Sequence, residues 1–593
     1  MSVVKIVAIS RLPLMRFCRR IFHRKRFATL LLLSFSLAIV VHRSRFVRFS
    51  TELTDRRRDE FKQKEELKDW EDHGLVSRDA QRSGPGEHGQ PYHLPDELKN
   101  SELKERLYKK NGFSALVSEF LALNRSVKDV RHRLCLGQLY RAKLPRVAVI
   151  IPFHNEHLSV LLRTVYSIIN RSPPELLQEI ILADDFSDQV ILKAQLDEYV
   201  KSHWPGLVKI ARATKREGLI RTRLLGAKQS SSEVLVFLDS HSECNYNWLP
   251  PLLDPIAQDY RTVVCPFVDV IDYENFEYRI QDHGARGSWD WEFYYKRLPL
   301  LPEDLKHPSK PFRSPVMAGG YFAISAKWFW QLGGYDEGLD IWGGEQYELS
   351  FKVWQCGGQL VDAPCSHVGH IYRKFSPISN PGVGDYVGRN YKRVAEVWMD
   401  EYKEYLYMRR PHYRTLNPGD LTKQHQLRKS LNCKSFKWYM ENIAFDQPKK
   451  YPAIEPGNLI EGNIRNLVSG LCLDAHFKAE MERVGLAPCV KGNIRKRNEQ
   501  HFQYTAKKEI KPKGRSVCLD VPESKFQAPV ILYGCHGMQG NQLWKYDRQN
   551  NHIVHAVTKM CLDANASQNS VFMSPCNQSL ASQAWIFGKL RPS

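Results

Sequence analysis

The chain has 593 residues, 42% hydrophobic and 25% charged, with a formal net charge of +21. That balance belongs to a globular protein with several domains and excludes a largely disordered one. The basic excess crowds the N-terminus, at Arg11, Arg16, Arg19, Arg20, Arg24, Lys25 and Arg26, with no zinc-knuckle, RNA-binding or homeodomain-like pattern beside it, so it does not point to nucleic acid.

Between two basic clusters lies the uncharged run FATLLLLSFSLAIVV. As a helix its fifteen residues rise about 22 Å, short of the roughly 30 Å of an average bilayer core. Snorkelling flanks or a thin membrane of the early secretory pathway close that gap. A cleaved signal peptide is the competing reading, but VVHRSR offers no small-x-small cleavage site. Residues 1–26 are therefore expected as a cytoplasmic tail, 27–42 as a transmembrane signal-anchor, and the bulk as lumenal. Thirteen cysteines with Cys18 on the cytoplasmic side leave twelve where disulfides form. Asn124, Asn170, Asn565 and Asn577 open N-x-Ser sequons, each a candidate for N-glycosylation.

Residues 43–112 are charged and polar around RSGPGEHGQP and read as a flexible stem. From there RVAVIIPFHNE, EIILADDFSD, GLVKIAR and VLVFLDSH alternate with helical stretches, a pattern of parallel strands joined by crossover helices. Ligands in such sheets sit beyond the carboxyl ends of the strands, where Asn155, Asp184, Asp185, Asp239 and His241 fall. No GxGxxG or P-loop accompanies them. His154 suits a structural role at the first strand end.

Asp239 and His241 stand two apart at a strand end, so in an extended segment both face one way. A carboxylate and an imidazole together suit a divalent cation; a solvated strand end with a structural hydrogen bond is the alternative. In DEGLDIWGGEQYELSFKVWQCGG a tight Trp-Gly-Gly turn precedes Glu345, which opens a helix, and CSHVGHIYRK adds a further imidazole and Arg373.

After about residue 456 the texture becomes turn-rich and repetitive. Cys-Leu-Asp recurs at 472–474, 518–520 and 561–563, each followed by a second cysteine and then by QHF, QLW or QAW. Three copies about 45 residues apart mean one folding unit used three times, read here as a β-trefoil.

Taken together, FHNE, REGLIRTR, FLDSH, WLPPLLD, SPVMAGG, WGGE, CSHVGH, AEVWMDEY and the three repeats resemble the polypeptide N-acetylgalactosaminyltransferases from the membrane anchor to the C-terminus. GGEQYE looks most like the branch preferring already glycosylated peptides. The resemblance implies an α/β GT-A (Rossmann-like) catalytic domain at 113–445, a linker at 446–456 and an all-β ricin-type lectin trefoil at 457–590, in a Golgi type II membrane protein. It implies Mn²⁺ on Asp239, His241 and His370, nucleotide contacts from Asp185 and Arg216, a diphosphate-side Arg373, and Trp342 and Glu345 at the donor sugar and reaction centre. The implied reaction transfers GalNAc from UDP-GalNAc to Ser or Thr with retention. No residue is a clear nucleophile, and the resemblance implies the account favoured for the family, a front-face reaction, with Glu345 orienting or stabilising groups.

The resemblance also implies disulfides Cys135–Cys365, Cys356–Cys433, Cys472–Cys489, Cys518–Cys535 and Cys561–Cys576, leaving Cys244 and Cys265 unassigned. Ile378 stands where relatives usually carry Tyr, and Gln346 follows Glu345 where many carry Asn. These two departures are the only support for a different reading, a transferase-like Golgi lectin or chaperone without activity; a third reading is transfer from another sugar nucleotide. Among the lectin repeats the middle one pairs Asp520 with Tyr533, His536 and Asn541 and is the expected GalNAc site, with the first repeat as runner-up. Core packing alone is the bland alternative for all three.

Overall fold

The computed structural model describes residues 66–281, 284–378, 380, 382–490, 498–537 and 539–590. The segment 27–42 expected as an anchor lies outside them. Among the described residues no helix is long and apolar enough to cross a membrane.

The catalytic sheet runs in the spatial order Phe312–Arg313, Gln359–Ile371, Thr262–Ile271, Phe322–Ser325, Val234–Phe237, Val147–Phe153, Leu177–Asp184, Val208–Arg212. The last four pair in parallel, as the strand–helix alternation requires. The sheet as a whole is mixed: Phe322–Ser325 runs antiparallel to both its neighbours. Both faces are covered. Along Val147–Phe153, Ala148 and Ile150 join one core while Val147, Val149 and Ile151 join the other, the period-two alternation of a strand between two layers.

One expectation needs correction. The stretch read as a flexible stem is folded from Glu66 onward and straps the catalytic domain. Leu67–Lys68 adds an antiparallel pair to Tyr140–Arg141, and the Trp70 indole, 7% exposed, donates to the Arg141 carbonyl at 3.0 Å. Asp72 caps the helix His73–Ala80 by accepting from the Leu75 amide at 2.8 Å, and buried Asp79 accepts from the Tyr246 hydroxyl at 2.8 Å. Glu87, buried against Ser126, pairs with Arg82. The polar composition misled because these acids and bases are satisfied by the catalytic domain rather than by water. At the other end the domain runs past 445. Gln447 donates to the Trp289 carbonyl at 2.9 Å, and the Trp291 indole donates to that of Tyr451 at 2.9 Å.

Residues 460–590 form the trefoil. Phe502, Trp544 and Trp585 meet in its core, each at most 1% exposed. The Trp544 and Trp585 indoles donate to the carbonyls of Leu519 and Leu562 in their own Cys-Leu-Asp strands. Glu455 spans the two domains, with Arg409 at 3.1 Å and Lys507 at 3.0 Å. Five disulfides join Cys135–Cys365, Cys356–Cys433, Cys472–Cys489, Cys518–Cys535 and Cys561–Cys576, while Cys244 and Cys265 are free and buried.

Candidate active site

The strand Val234–Phe237 delivers Asp239 to the carboxyl edge of the sheet. The chain then turns into Ser242–Cys244, which pairs antiparallel with Gln359–Ile371 in a register that sets Ser242 opposite His370. The Ile371 amide donates to the His241 carbonyl at 3.1 Å, and the two imidazole centroids lie 4.9 Å apart. One ligand atom each from Asp239, His241 and His370 lies within 4.8 Å of the others. The donor set fits a divalent cation. Burial, then the neighbouring His241, pushes the His370 pKa down to about 3, so the ring is neutral, the form that coordinates. Its Nδ1 is buried without a hydrogen-bond partner among the described residues.

Beneath this cluster lies Glu156, 2% exposed. Its Oε2 meets His241 Nδ1 at 2.8 Å and accepts from the Ser240 hydroxyl at 2.7 Å and from Arg373 at 2.7 Å. Burial opposes its charge, but Arg373 and His241 outweigh burial and hold the carboxyl well below its usual range. A carboxylate on Nδ1 fixes the ring and leaves Nε2 for a metal. Arg373 therefore stands behind the cluster, with its guanidinium also donating to the Asn111 carbonyl at 3.0 Å.

On the other side of Asp239 the helix Leu219–Lys228 turns Arg223 inward, 1% exposed. Its guanidinium lies 3.2 Å from Asp239 and 3.5 Å from Glu345. Glu345 opens the helix Glu345–Gln355 after Gly343 and Gly344, whose φ values of 91° and 92° suit glycine. The Asn390 side chain holds this turn by donating to the carbonyls of Asp340 at 2.7 Å and Gly343 at 2.8 Å. Burial raises the Glu345 pKa against the pull of Arg223, and its Oε2 has no partner among the described residues. Trp342, 51% exposed, stands at the rim of a cavity of about 380 Å³ whose walls include Asp239, His370, Tyr321, Phe267 and Asp362. Ile378 lies on the exposed loop beyond Arg373, and Gln346 packs under Gly319.

Asp185 and Arg216 form an ion pair away from this cluster, beyond the end of the strand Leu177–Asp184. Asp185 also accepts from the amides of Glu217 at 2.7 Å and Gly218 at 2.9 Å, while its carbonyl meets His154 Nδ1 at 2.8 Å. Gly218 bridges to Ile341, so this end is tied to the Trp-Gly-Gly turn. Each expected catalytic-domain residue is thus at the carboxyl edge. Sequence reasoning gave Glu156 and Arg223 no role, although the motifs it quoted, FHNE and REGLIRTR, contain them.

Known proteins give the same picture. Residues 148–333 match the model for glycosyl transferase family 2, residues 303–375 that for the N-terminal domain of galactosyltransferase, and residues 460–585 that for the ricin-type beta-trefoil lectin domain. A Caenorhabditis briggsae protein carrying the polypeptide N-acetylgalactosaminyltransferase 10 name is 57% identical over 521 residues, 87% of this chain and 83% of that protein. Human polypeptide N-acetylgalactosaminyltransferase 10 is 52% identical over 531 residues, 88% of this chain and 86% of its own. This chain belongs to the polypeptide N-acetylgalactosaminyltransferases. A crystal structure of GalNAc-T7 with UDP, GalNAc and Mn²⁺ is 39% identical, covers 86% of this chain and 93% of its own, and superposes with a TM-score of 0.62.

In the lectin domain of this N-acetylgalactosaminyltransferase the three repeats share one device. Gln500, Gln542 and Gln583 donate to Asp474, Asp520 and Asp563 at 2.8, 3.1 and 3.1 Å. The acid alone is therefore architectural and marks no sugar site. What surrounds it differs. Asp474 also accepts from the His476 amide at 2.6 Å, and Asp563 from the Ala564 amide and the Ser574 hydroxyl. Asp520 accepts from Gln542 alone among the described residues. Glu499 holds the position equivalent to Asn541, since the Ala475 and Val521 amides donate to their carbonyls, and its carboxylate is occupied by Arg515 and the Phe477 amide. Tyr533 is 44% exposed and Asn541 is exposed. His536 lines a separate 330 Å³ cavity between the two domains, where its carbonyl receives Lys296 at 3.5 Å.

Proposed function

We propose that the transferase moves GalNAc from UDP-GalNAc to Ser or Thr hydroxyls of proteins with retention, and that it works fastest on peptides already bearing GalNAc. The observation that carries this reading is the Asp239, His241 and His370 cluster, with Glu345 reached through Arg223 on its far side. Asp239, His241 and His370 would hold Mn²⁺ there, and its positive charge would offset the negative charge that develops on the departing UDP. Asp185 and Arg216 would receive the nucleoside end, and Arg373 the diphosphate. Glu345 and Trp342 would flank the sugar, with Glu345 orienting groups at the anomeric carbon rather than attacking it. The Glu156 carboxylate fixes the His241 ring, and Arg223 keeps two acids close together without mutual repulsion. Asp520, Tyr533 and Asn541 would take the GalNAc of a modified peptide, without His536, which lines the cavity between the domains. The candidate sequons, the disulfides and the charge-free 27–42 segment support a lumenal enzyme on a Golgi anchor.

The test is transfer by the purified lumenal fragment from UDP-GalNAc and Mn²⁺ to naked and GalNAc-bearing peptides. The glycopeptides should show the higher kcat/KM. Equal values would remove the preference, and binding of glycopeptide without any transfer would favour the lectin-like reading.

A further inference from the structure

Arg373 is held from a distant part of the chain. Its guanidinium donates to the Asn111 carbonyl at 3.0 Å and lies 5.3 Å from the centre of the Phe113 ring. The next residue, Lys374, donates its amide to the Gly112 carbonyl at 2.8 Å. The one after that, Phe375, meets the Tyr108 ring edge-on at 6.0 Å. Three consecutive residues of the loop are thus each fixed by the end of the helix Glu102–Asn111 and its cap. Beyond them Ile378 and Val383 are each more than 40% exposed. The clamp is the last fixed point before that stretch.

We propose that residues 108–113 are a positioning element for Arg373 and, through the Glu156 carboxylate that Arg373 and His241 share, for the metal-facing edge of His241. The inference rests on the reading of Asp239, His241 and His370 as a cation site. A free arginine side chain samples many rotamers, and a ligand that had to order it would bind more weakly. The carbonyl and the aromatic face remove that cost before any ligand arrives. Gly112 makes the arrangement possible. It caps the helix at φ +74°, and a Cβ there would stand 2.3 Å from the Phe375 carbonyl oxygen and 3.3 Å from the Arg373 Cβ.

The experiment compares Gly112→Ala with Gly137→Ala in the full lumenal fragment. Gly137 has nearly the same backbone angle, φ +73°, but nothing lies within 4 Å of its added Cβ. Both changes impose the same left-handed strain; only one disturbs Arg373. Mn²⁺ binding in the presence of UDP is followed by paramagnetic resonance, with thermal unfolding recorded alongside. Gly112→Ala should weaken Mn²⁺ binding, approaching the lower end, about 10-fold, of supporting-residue effects at metal sites, while Gly137→Ala leaves it unchanged. Tyr108→Ala, on a half-buried residue, should act in the same direction and carries the test where Gly112→Ala does not fold. Unchanged binding in Gly112→Ala or Tyr108→Ala, or equal weakening in Gly137→Ala, overturns the proposal. Wild-type protein that binds no Mn²⁺ brings down the metal reading and this inference with it, whereas binding in wild type and every variant overturns only the inference.

Discussion

Asp239 and Glu345 share one buried cation. Arg223 lies 3.2 Å from the first and 3.5 Å from the second, and water does not reach it. The acid of the proposed metal cluster and the acid that opens the helix Glu345–Gln355 are therefore electrostatically one unit. Arg223→Met keeps much of the volume but leaves buried Glu345 and partly exposed Asp239 without their cation. It should destabilise the protein by about 3–5 kcal/mol, the usual result of removing one partner from a buried ionic cluster. Glu345→Gln leaves Arg223 with Asp239 and should lower turnover more than UDP affinity. Denaturant unfolding and initial rates check both. Normal turnover in Glu345→Gln, with only a small stability loss of about 0.3–1 kcal/mol, would reduce Glu345 to an acid that complements a helix N-terminus.

Glu156 touches no ligand in the proposed reaction, yet its loss should be felt at the ion. Glu156→Gln keeps the shape but removes the charge that orients His241 and neutralises Arg373. Metal affinity should fall about 10- to 100-fold, with activity partly restored by excess Mn²⁺. Asp239→Ala should not be rescued in this way. A Mn²⁺ titration of both variants separates the roles, and an unaltered midpoint in Glu156→Gln would show that Arg373 and the backbone suffice to hold the ring.

In the trefoil, Asp520→His should weaken binding to GalNAc-bearing peptides while leaving transfer to naked peptide nearly unchanged. Asp474→His should do much less, because Glu499 and Arg515 occupy the equivalent opening of the first repeat. Binding assays with glycopeptide on both variants decide between the repeats, and loss in Asp474→His alone would make the first repeat the sugar site.

The strap carries a pH signature. Burial works against ionisation of Glu87, but Arg82 and Ser126 outweigh it and bring its pKa down to about 2 from 4.5. A group depressed in the folded state adds stability that is complete above its unfolded pKa and is lost as pH falls through the folded one. Thermal stability should therefore decline between about pH 4.5 and 2 by this route, and Glu87→Gln should flatten that part of the profile while lowering stability at neutral pH. Parallel melting curves for the two proteins across that range are the check.

The strand ends and the trefoil were legible in the sequence because each is a local pattern. An apolar run that breaks into Asp-Ser-His announces its own position, and a repeat announces its own copies. Arg223 was not legible. In GLIRTRLLGAK nothing distinguishes the arginine that faces inward from Arg221, which is only partly buried, since the partners that favour burial come from distant segments. Glu156 had the same difficulty: its partners Ser240, His241 and Arg373 are brought together only by the sheet. The strap failed for the opposite reason. Its composition is that of solvated chain, and only the tertiary partners Tyr246, Ser126 and Arg373 give its polar groups somewhere to go. Nothing local marks Gly112 either: the Phe375 carbonyl that leaves no room for a Cβ there comes from a distant segment.

The strap also shortens the leash. With the anchor proposed at 27–42, a stem running to residue 112 would let the enzyme range more than 200 Å from the bilayer when fully extended, at about 3.3–3.6 Å per residue. Because Glu66 is already part of the packed domain, no more than residues 43–65 separate that domain from such an anchor, and their fully extended contour is about 80 Å. The catalytic cavity and the lectin openings would then sweep a thin layer just above the membrane, where they meet acceptors that are themselves tethered or newly threaded past that surface.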